Sequence, residues 1–553
     1  MGFIDLRRLL VYSFTFIGAA NSLSSRQTAA PVVDLGYARY QGVFDPNTNV
    51  TNYRGLRYAA PPTGDLRWQA PQPPANVSGI QQANLDPLPC FQAESYGTSP
   101  TNPNSQIIDK RQALPAGGED CLFLNVASPG TKVPSKGLPT VVWIHGGGYV
   151  RQSALGVNRE LKAVRYIARA ASQFQASDLV REANNGVVAV VIQYRLGLFG
   201  FLPGSEVKKN GALNAGLLDQ NFALRWVQKH ISKFGGDPTK VTVWGESAGA
   251  GSVLQQVIAE DGQTNPPLFR GAITSSTFLP SQYHYNDTIP ERLYNQTVSQ
   301  ANCTSSKNTL ACLRRADANL LETINRNINA AGFFGTFVFV PVIDGTFIRQ
   351  RPTEALRQGK LNGKALLAIT NTNEGFNFVN QTAPANVTSY AGNLFPKFGP
   401  KQEAAVTRLY NGLGSQLDQV NLVIGEALFI CPTYYIVNAF KDRAYKGQFA
   451  VPPAIHAADV NYYFPTGRTL EFNNTDFQKA FSQSFLSFVI SLDPNAKFDS
   501  SNITPPWSLF SKGQTQVVFN RTGDAPDIRV AKVDPKLLKR CSFWESLGAL
   551  TAQ

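Results

Sequence analysis

Apolar residues fall in short dense runs, and between them the spacing turns helical. Residues 187–193 (VVAVVIQ) are almost wholly apolar, the pattern of a strand buried on both faces of a sheet. Residues 139–144 and 365–370 predict two more strands, and 119–126 returns to a strand after a cysteine. Val241, Val243 and Trp244 predict another. After the turn Gly245-Glu246-Ser247-Ala248-Gly249, apolar Val253, Leu254, Val257 and Ile258 fall at helical spacing. Residues 221–231 predict a helix that 235–238 (GGDP) breaks before the strand at 241. Residues 32–44 read as short alternating segments. The proline- and glycine-bearing stretch 53–68 predicts a rigid loop outside the core. Strands interleaved with helices predict an α/β class with a large, mostly parallel sheet flanked by helices. With no internal repeat or linker-like shift in composition, residues 30–553 are expected to form a single domain.

Two glycine-rich turns carry chemistry. Strand, G-x-S-x-G and helix together make a nucleophile elbow, in which a tight turn holds the serine in strained angles at a helix N-terminus. Ser247 is the candidate nucleophile. The strand at 139–144 runs into His145-Gly146-Gly147-Gly148-Tyr149. Glycine lets a backbone approach closely and aim its amides inward, where they stabilise an oxyanion. The candidate oxyanion donors are the N–H groups of Gly147, Gly148 and Ala248.

A serine nucleophile needs a base, and the chain has only four histidines. His145 heads the glycine loop. His230 ends a lysine-rich helix and His284 stands beside a glycosylation sequon, so both predict exposed positions. His456, in a loop before an aromatic-rich stretch read as a strand, is the remaining candidate. Serine, acid and histidine in that chain order put the acid between 247 and 456. Glu374 follows an apolar strand and precedes a glycine, but Asp344, Glu426 and other carboxylates share the interval. The serine chemistry calls for no cofactor and no metal.

The formal charge of +13 predicts a basic surface. The basic residues are scattered and no nucleic-acid motif is present, so nucleic acid is not an expected partner. Contact with an anionic or lipid interface stays open. Arg7 and Arg8, the apolar stretch 9–20, and small residues at 18–20 or 20–22 read as a signal peptide, taken as residues 1–20. No later run is read as long and apolar enough to cross a membrane. A secreted, extracellular chain is therefore expected. Six cysteines, Cys90, Cys121, Cys303, Cys312, Cys431 and Cys541, suit an oxidising compartment, with fifteen possible pairings. Ten sequons predict N-glycans: Asn49, Asn76, Asn286, Asn295, Asn302, Asn380, Asn386, Asn473, Asn502 and Asn520.

Ordered motifs from about residue 30 onward carry a resemblance. They are GLRYAAPPTGDLRW, EDCLFLNV, HGGGY, YRLGLFGF, FGGDPTKVTVWGESAGAGS, TNEG at Glu374, HAAD at His456, ICP at Cys431 and RCSFW at Cys541. The chain resembles the type-B carboxylesterase/lipase family of α/β-hydrolases, which includes cholinesterases and fungal secreted esterases and lipases. The resemblance implies an acyl-enzyme mechanism on a small-molecule or lipid ester. Ser247 is then nucleophile, Glu374 acid, His456 base, and Ser276 a hydroxyl beside the acid and base. It further implies disulfides Cys90–Cys121, Cys303–Cys312 and Cys431–Cys541. Lipase or sterol esterase activity is the alternative within the family, and a non-catalytic adhesion relative the alternative outside enzymes.

Two features depart from that pattern. Cholinesterases hold a quaternary ammonium on a tryptophan inside the first disulfide loop. Residues 91–120 contain no tryptophan, only Phe91 and Tyr96, so choline esters are not the expected substrate. Residues 154–171 look inserted. They read either as a basic amphipathic lid or as non-coding sequence translated in error, with the second favoured. Phe333, Phe334, Phe337 and Phe339 read as acyl-pocket candidates or plain core.

Overall fold

The computed structural model describes residues 31–93, 97–100, 117–151, 174–383 and 386–553. The expected signal peptide, Tyr96 and the segment 154–171 lie outside the described residues. Three short strands, β1 (Val32–Asp34), β2 (Arg39–Gln41) and β5 (Ile80–Gln82), form a small sheet. The large sheet holds β3 (Val43–Asp45), β4 (Val50–Arg57), β6 (Phe123–Pro129), β7 (Leu138–Ile144), β8 (Val188–Ile192) and β9 (Gly236–Glu246). It continues with β10 (Gly271–Ser275), β11 (Ala365–Asn371), β12 (Ala444–Phe449), β13 (Thr515–Thr522) and β14 (Ala525–Lys532). Among the described residues its order is β14-β13-β12-β11-β10-β9-β7-β8-β6-β4-β3. Pairing is parallel from β8 through β13 and antiparallel at both margins. This is the α/β-hydrolase architecture.

Side-chain alternation along these strands divides the core in two. Val188, Val190 and Ile192 of β8, with Val142 and Ile144 of β7, belong to the core on one face. Ala189 and Val191, with Val141 and Trp143, belong to the core on the other. A strand apolar at every position supplies both cores at once, because successive side chains point to opposite faces.

Several expectations are corrected. The stretch 53–68 is not a loop outside the core. Its first part lies in β4, Tyr53, Leu56 and Tyr58 are buried, and Trp68 is buried with its Nε1 donating to Leu198 O at 2.8 Å. Gly55, at φ +74°, sits within a register shift between Tyr53 and Leu56. The glycine therefore serves a bulge, and the strand continues through it. The break at 235–238 is shorter than expected: the chain turns at Gly235 and β9 already begins at Gly236. His230 is buried against Tyr37 and Trp226. Burial, aided by Lys229 and Lys233, pulls its pKa down to about 4. His284 is exposed. The aromatic stretch after His456 forms a short helix, Val460–Tyr463.

One apolar run also exceeds expectation. Residues Gln416–Arg443 form a helical run, kinked at Lys441, whose best 18-residue window has a mean hydropathy of 1.6, enough to cross a membrane by length and composition. That window is 83% buried inside the protein, so the run is a core element. Disulfides join Cys90 to Cys121, Cys303 to Cys312 and Cys431 to Cys541.

Candidate active site

Four neighbouring strands deliver the candidate residues at their carboxyl ends, where ligands of open α/β sheets collect. β7 leads into the glycine loop at His145, β9 into Ser247, β10 into Ser276 and β11 into Glu374, while His456 follows β12 by seven residues. Adjacency in the sheet thus joins positions more than three hundred residues apart in the chain, His145 and His456.

Ser247 lies between β9 and the helix Ala248–Ile258, at φ +56° and ψ −123°. Such a conformation costs on the order of 1–3 kcal/mol and persists only where its surroundings impose it. The flanking glycines show how. A Cβ on Gly245 would lie 2.4 Å from the carbonyl of Gly249, and a Cβ on Gly249 would lie 2.0 Å from Ile144 O. Strand and helix pass too closely here for any side chain. The Ser247 amide donates to Ser275 O at 2.9 Å, which fastens the elbow to β10.

The glycine loop lies directly over this serine, since a Cβ on Gly146 would meet Ser247 Cβ at 3.0 Å. Gly147 and Gly148 adopt φ of +98° and +64°. Ala248 is the first residue of its helix, where N–H groups have no intrahelical partner. Among the described residues, the amides of Gly147, Gly148 and Ala248 donate to no protein acceptor. His145 is buried, stacks on Tyr194 at 4.5 Å and places Nδ1 3.0 Å from Gly146 O. Burial pulls its pKa down to about 4, so it is a neutral brace for the loop.

His456 Nδ1 lies 2.6 Å from Glu374 Oε2. The other carboxylate oxygen of Glu374 accepts from Ser276 Oγ and from the Asn371 amide, both at 2.6 Å. Ser276 therefore touches the candidate acid. Phe378 and Phe429 close the imidazole in, with ring centroids at 5.0 and 4.5 Å. Burial is the largest influence on His456 and lowers its pKa. The Glu374 hydrogen bond and charge, followed by the charges of Glu246 and Asp459, outweigh it, so the net shift is upward from 6.5.

Sequence reasoning missed two carboxylates here. Glu246, the residue before Ser247, is buried and places Oε1 3.2 Å from His456 Nε2. Burial, with Asp459 and Glu374 adding to it, pushes its pKa up to about 8. Asp459 accepts from Asn371 Nδ2 and Tyr463 OH, both at 3.0 Å, and burial pushes it up to about 6. The available signal was a carboxylate inside an otherwise small or apolar motif, in GESAG and in HAAD. Among the described residues, no group of three or more His, Cys, Asp or Glu is arranged to hold a metal ion.

A family model described as "Carboxylesterase family" matches residues 29–544. The chain belongs to the carboxylesterase family. It is a carboxylic ester hydrolase. The esterase is 30% identical to Carboxylesterase patB of Penicillium expansum, over 94% of this chain and 96% of that one. It is 29% identical to Secreted lipase 1 of Botryotinia fuckeliana, over 88% of each chain. The solved structure of Aspergillus niger EstA superposes on the esterase with a TM-score of 0.81 at 28% identity, covering 95% of this chain and 99% of that one. PNB esterase, at 24% identity and a TM-score of 0.72, shares the fold.

Proposed function

We propose that this esterase cleaves carboxylic esters through an acyl-enzyme on Ser247. His456 Nε2 takes the Ser247 hydroxyl proton as Oγ attacks the carbonyl carbon. The amides of Gly147, Gly148 and Ala248 hold the resulting oxyanion without reorganising. Glu374 fixes the tautomer and plane of the imidazole and stabilises its cationic form, while Ser276 and the Asn371 amide fix Glu374. The imidazolium then returns its proton to the departing alkoxide. Water, activated by the same histidine, releases the acid. The observation that carries this reading is the 2.6 Å hydrogen bond between His456 and Glu374, with the imidazole's Nε2 3.2 Å from Glu246, the residue before a serine held at positive φ.

An apolar cavity of about 160 Å³ adjoins the site, lined in part by Phe278, Phe333, Phe337, Leu394, Phe395 and Leu428. Phe337 lies against the glycine loop, its ring 2.3 Å from where a Gly148 Cβ would stand. The Phe278 amide reaches Ser247 O at 3.4 Å. Of the four phenylalanines weighed from sequence, Phe333 and Phe337 line this cavity and Phe339 is buried core. Small-molecule sites usually span ~300–1,000 Å³, so this space suits one apolar acyl chain of an ester. Short- and medium-chain esters are the proposed substrates, and secretion the proposed location. Lipase activity on longer chains is the second reading, favoured by the lipases among the relatives.

The test is labelling by a fluorophosphonate probe. Stoichiometric modification that maps to Ser247 and vanishes in Ser247→Ala is expected; an unlabelled, folded parent chain would sink the triad assignment. Rates on p-nitrophenyl esters from acetate to palmitate separate the two substrate readings. A maximum at the short or middle lengths is expected, and a steady rise to palmitate would favour the lipase.

A further inference from the structure

The helical rod beside the site changes its winding. Gln416–Gly425 is α-helical, Glu426–Ile430 forms a π-helical turn, and Cys431–Phe440 resumes the α-helix. A π-turn inserts one residue into the helix, and such insertions gather at functional sites. This one presents Leu428 to the cavity and Phe429 to the imidazole. The Phe429 ring also contacts Phe278 at 5.2 Å and Phe378 at 5.0 Å, which completes the apolar wall around His456.

The same rod presses on the loop that carries Glu374. A Cβ on Gly375 would lie 1.9 Å from Asn421 O, and a Cβ on Gly425 would lie 2.8 Å from the Gly375 amide. One element therefore supports both the carboxylate and the imidazole. Its carbonyls in the π-turn take partners from elsewhere: Leu428 O accepts from the Leu279 amide at 2.9 Å, and Ala427 O from Gln553 Nε2 at 2.9 Å.

Both ends of the π-turn are fastened to one other helix, Pro535–Ser546. At its start, Glu426 has a side chain only 1% exposed and takes Arg540 Nη2 at 2.6 Å and Arg540 Nε at 2.8 Å. Tyr410 OH donates to Glu426 at 2.7 Å and itself accepts from Trp544 Nε1 at 2.7 Å. Just past its end, Cys431 is bonded to Cys541, the residue after Arg540.

We propose that Glu426 and Arg540 are positioning residues for His456: their ion pair holds the π-turn in register and so keeps Phe429 against the imidazole. The inference rests on His456 being the base. If the turn relaxed into an α-helix, the inserted residue would be lost. Phe429 would then rotate by about 100°, one residue's share of a 3.6-residue turn, and leave the ring uncovered. Misplacement of a reacting group by about 1 Å can cost ~100-fold in rate.

The experiment compares E426Q, R540K, F429L and the double variant E426Q/F429L in the full chain, on p-nitrophenyl acetate. Removing one member of a buried ion pair strands the other and can prevent folding. The paired variant E426L/R540M strands no charge and is measured alongside. Fluorophosphonate titration counts competent sites in every sample. Expected are a fall in kcat of about ten- to a hundredfold per titrated site for E426Q and E426L/R540M, KM within about twofold, and partial recovery in R540K. E426Q/F429L should be no slower than the slower single variant, since both act through one contact. Unchanged kcat per titrated site, or losses that multiply in the double variant, would overturn the proposal. A parent chain that fails to titrate would instead overturn the assignment of Ser247 and His456.

Discussion

With His456 as the proposed base, two opposing forces on its ring should set the pH at which the enzyme works. Burial favours the neutral ring, and the Glu374 hydrogen bond and charge favour the cation more strongly. Only the neutral imidazole can take the Ser247 proton, so an upward shift moves the acid limb of the rate profile to higher pH. The limb in kcat/KM should therefore have its midpoint above 6.5, the ordinary histidine value. Glu374→Gln removes the largest raising influence, so it should move the midpoint down while lowering the rate. A profile flat to pH 4, or a limb that ignores Glu374→Gln, would contradict the assignment of His456 as base. The acid itself was the least legible residue in the sequence. Asp344 and Glu426 compete with Glu374 by position, and resemblance alone separated them. The structure shows what occupies the competitors. Asp344 Oδ1 accepts the amides of Thr346, Phe347 and Ile348, while Glu426 is tied to Arg540. Neither arrangement leaves a periodic trace in a sequence.

Among elements, legibility followed burial. β7, β8 and β11 read directly as apolar runs because both of their faces are covered, and residue identity then reports strand. β4 did not, because Gly55 and the prolines beyond it read as punctuation while the bulge carries the strand through. The stretch after His456 misled in the other direction: Tyr462, Tyr463 and Phe464 have strand propensity, but their place between β12 and the helix Thr475–Ser491 makes a short helix that buries all three rings. Tertiary packing overrides a weak local preference there. The strand–serine–helix element was legible because its glycines are required by contact. That requirement can be measured. Gly249→Ala would place a Cβ 2.0 Å from Ile144 O, a backbone atom that cannot swing aside. Gly412, at φ +80°, has nothing within 4 Å of its Cβ position and serves as the control. Gly412→Ala should cost only the left-handed strain, about 1–2 kcal/mol. Gly249→Ala should cost about 3 kcal/mol or more and abolish ester hydrolysis. Equal unfolding midpoints for the two variants would refute the contact explanation.

At the scale of the whole molecule, the sequence pointed to an oxidising compartment through cysteines and sequons; the cysteines by themselves left the pairing open, and the resemblance supplied the three bonds that the structure shows. The three disulfides each close a different part of the chain, and the one at Cys431 and Cys541 spans 110 residues to anchor the C-terminal helix beside the site. The sequons separate by burial. Asn49, Asn76, Asn286, Asn295, Asn302, Asn380, Asn386 and Asn473 are exposed. Asn502 is only 6% exposed: its Nδ2, the atom that would carry the sugar, faces Gln483 Oε1 at 3.4 Å, and its Oδ1 accepts from the Thr504 amide and hydroxyl. A glycan there would have to expel the loop that this asparagine organises, whereas a carbohydrate on an exposed position costs no packing. Asn520 lies within β13, paired with Asp527 on β14, and its Oδ1 is buried. Expressed through a eukaryotic secretory pathway, the esterase should carry N-glycans drawn from the eight exposed positions and none at Asn502. Peptide mapping after enzymatic deglycosylation in heavy-oxygen water reads this directly, since each occupied asparagine is converted to a labelled aspartate. Label at Asn502 in active, folded enzyme would mean that the loop between the helix Thr475–Ser491 and β13 does not pack Asn502 against Gln483 and Thr504. Label confined to the exposed set, with Asn502 unlabelled, is what the packing requires.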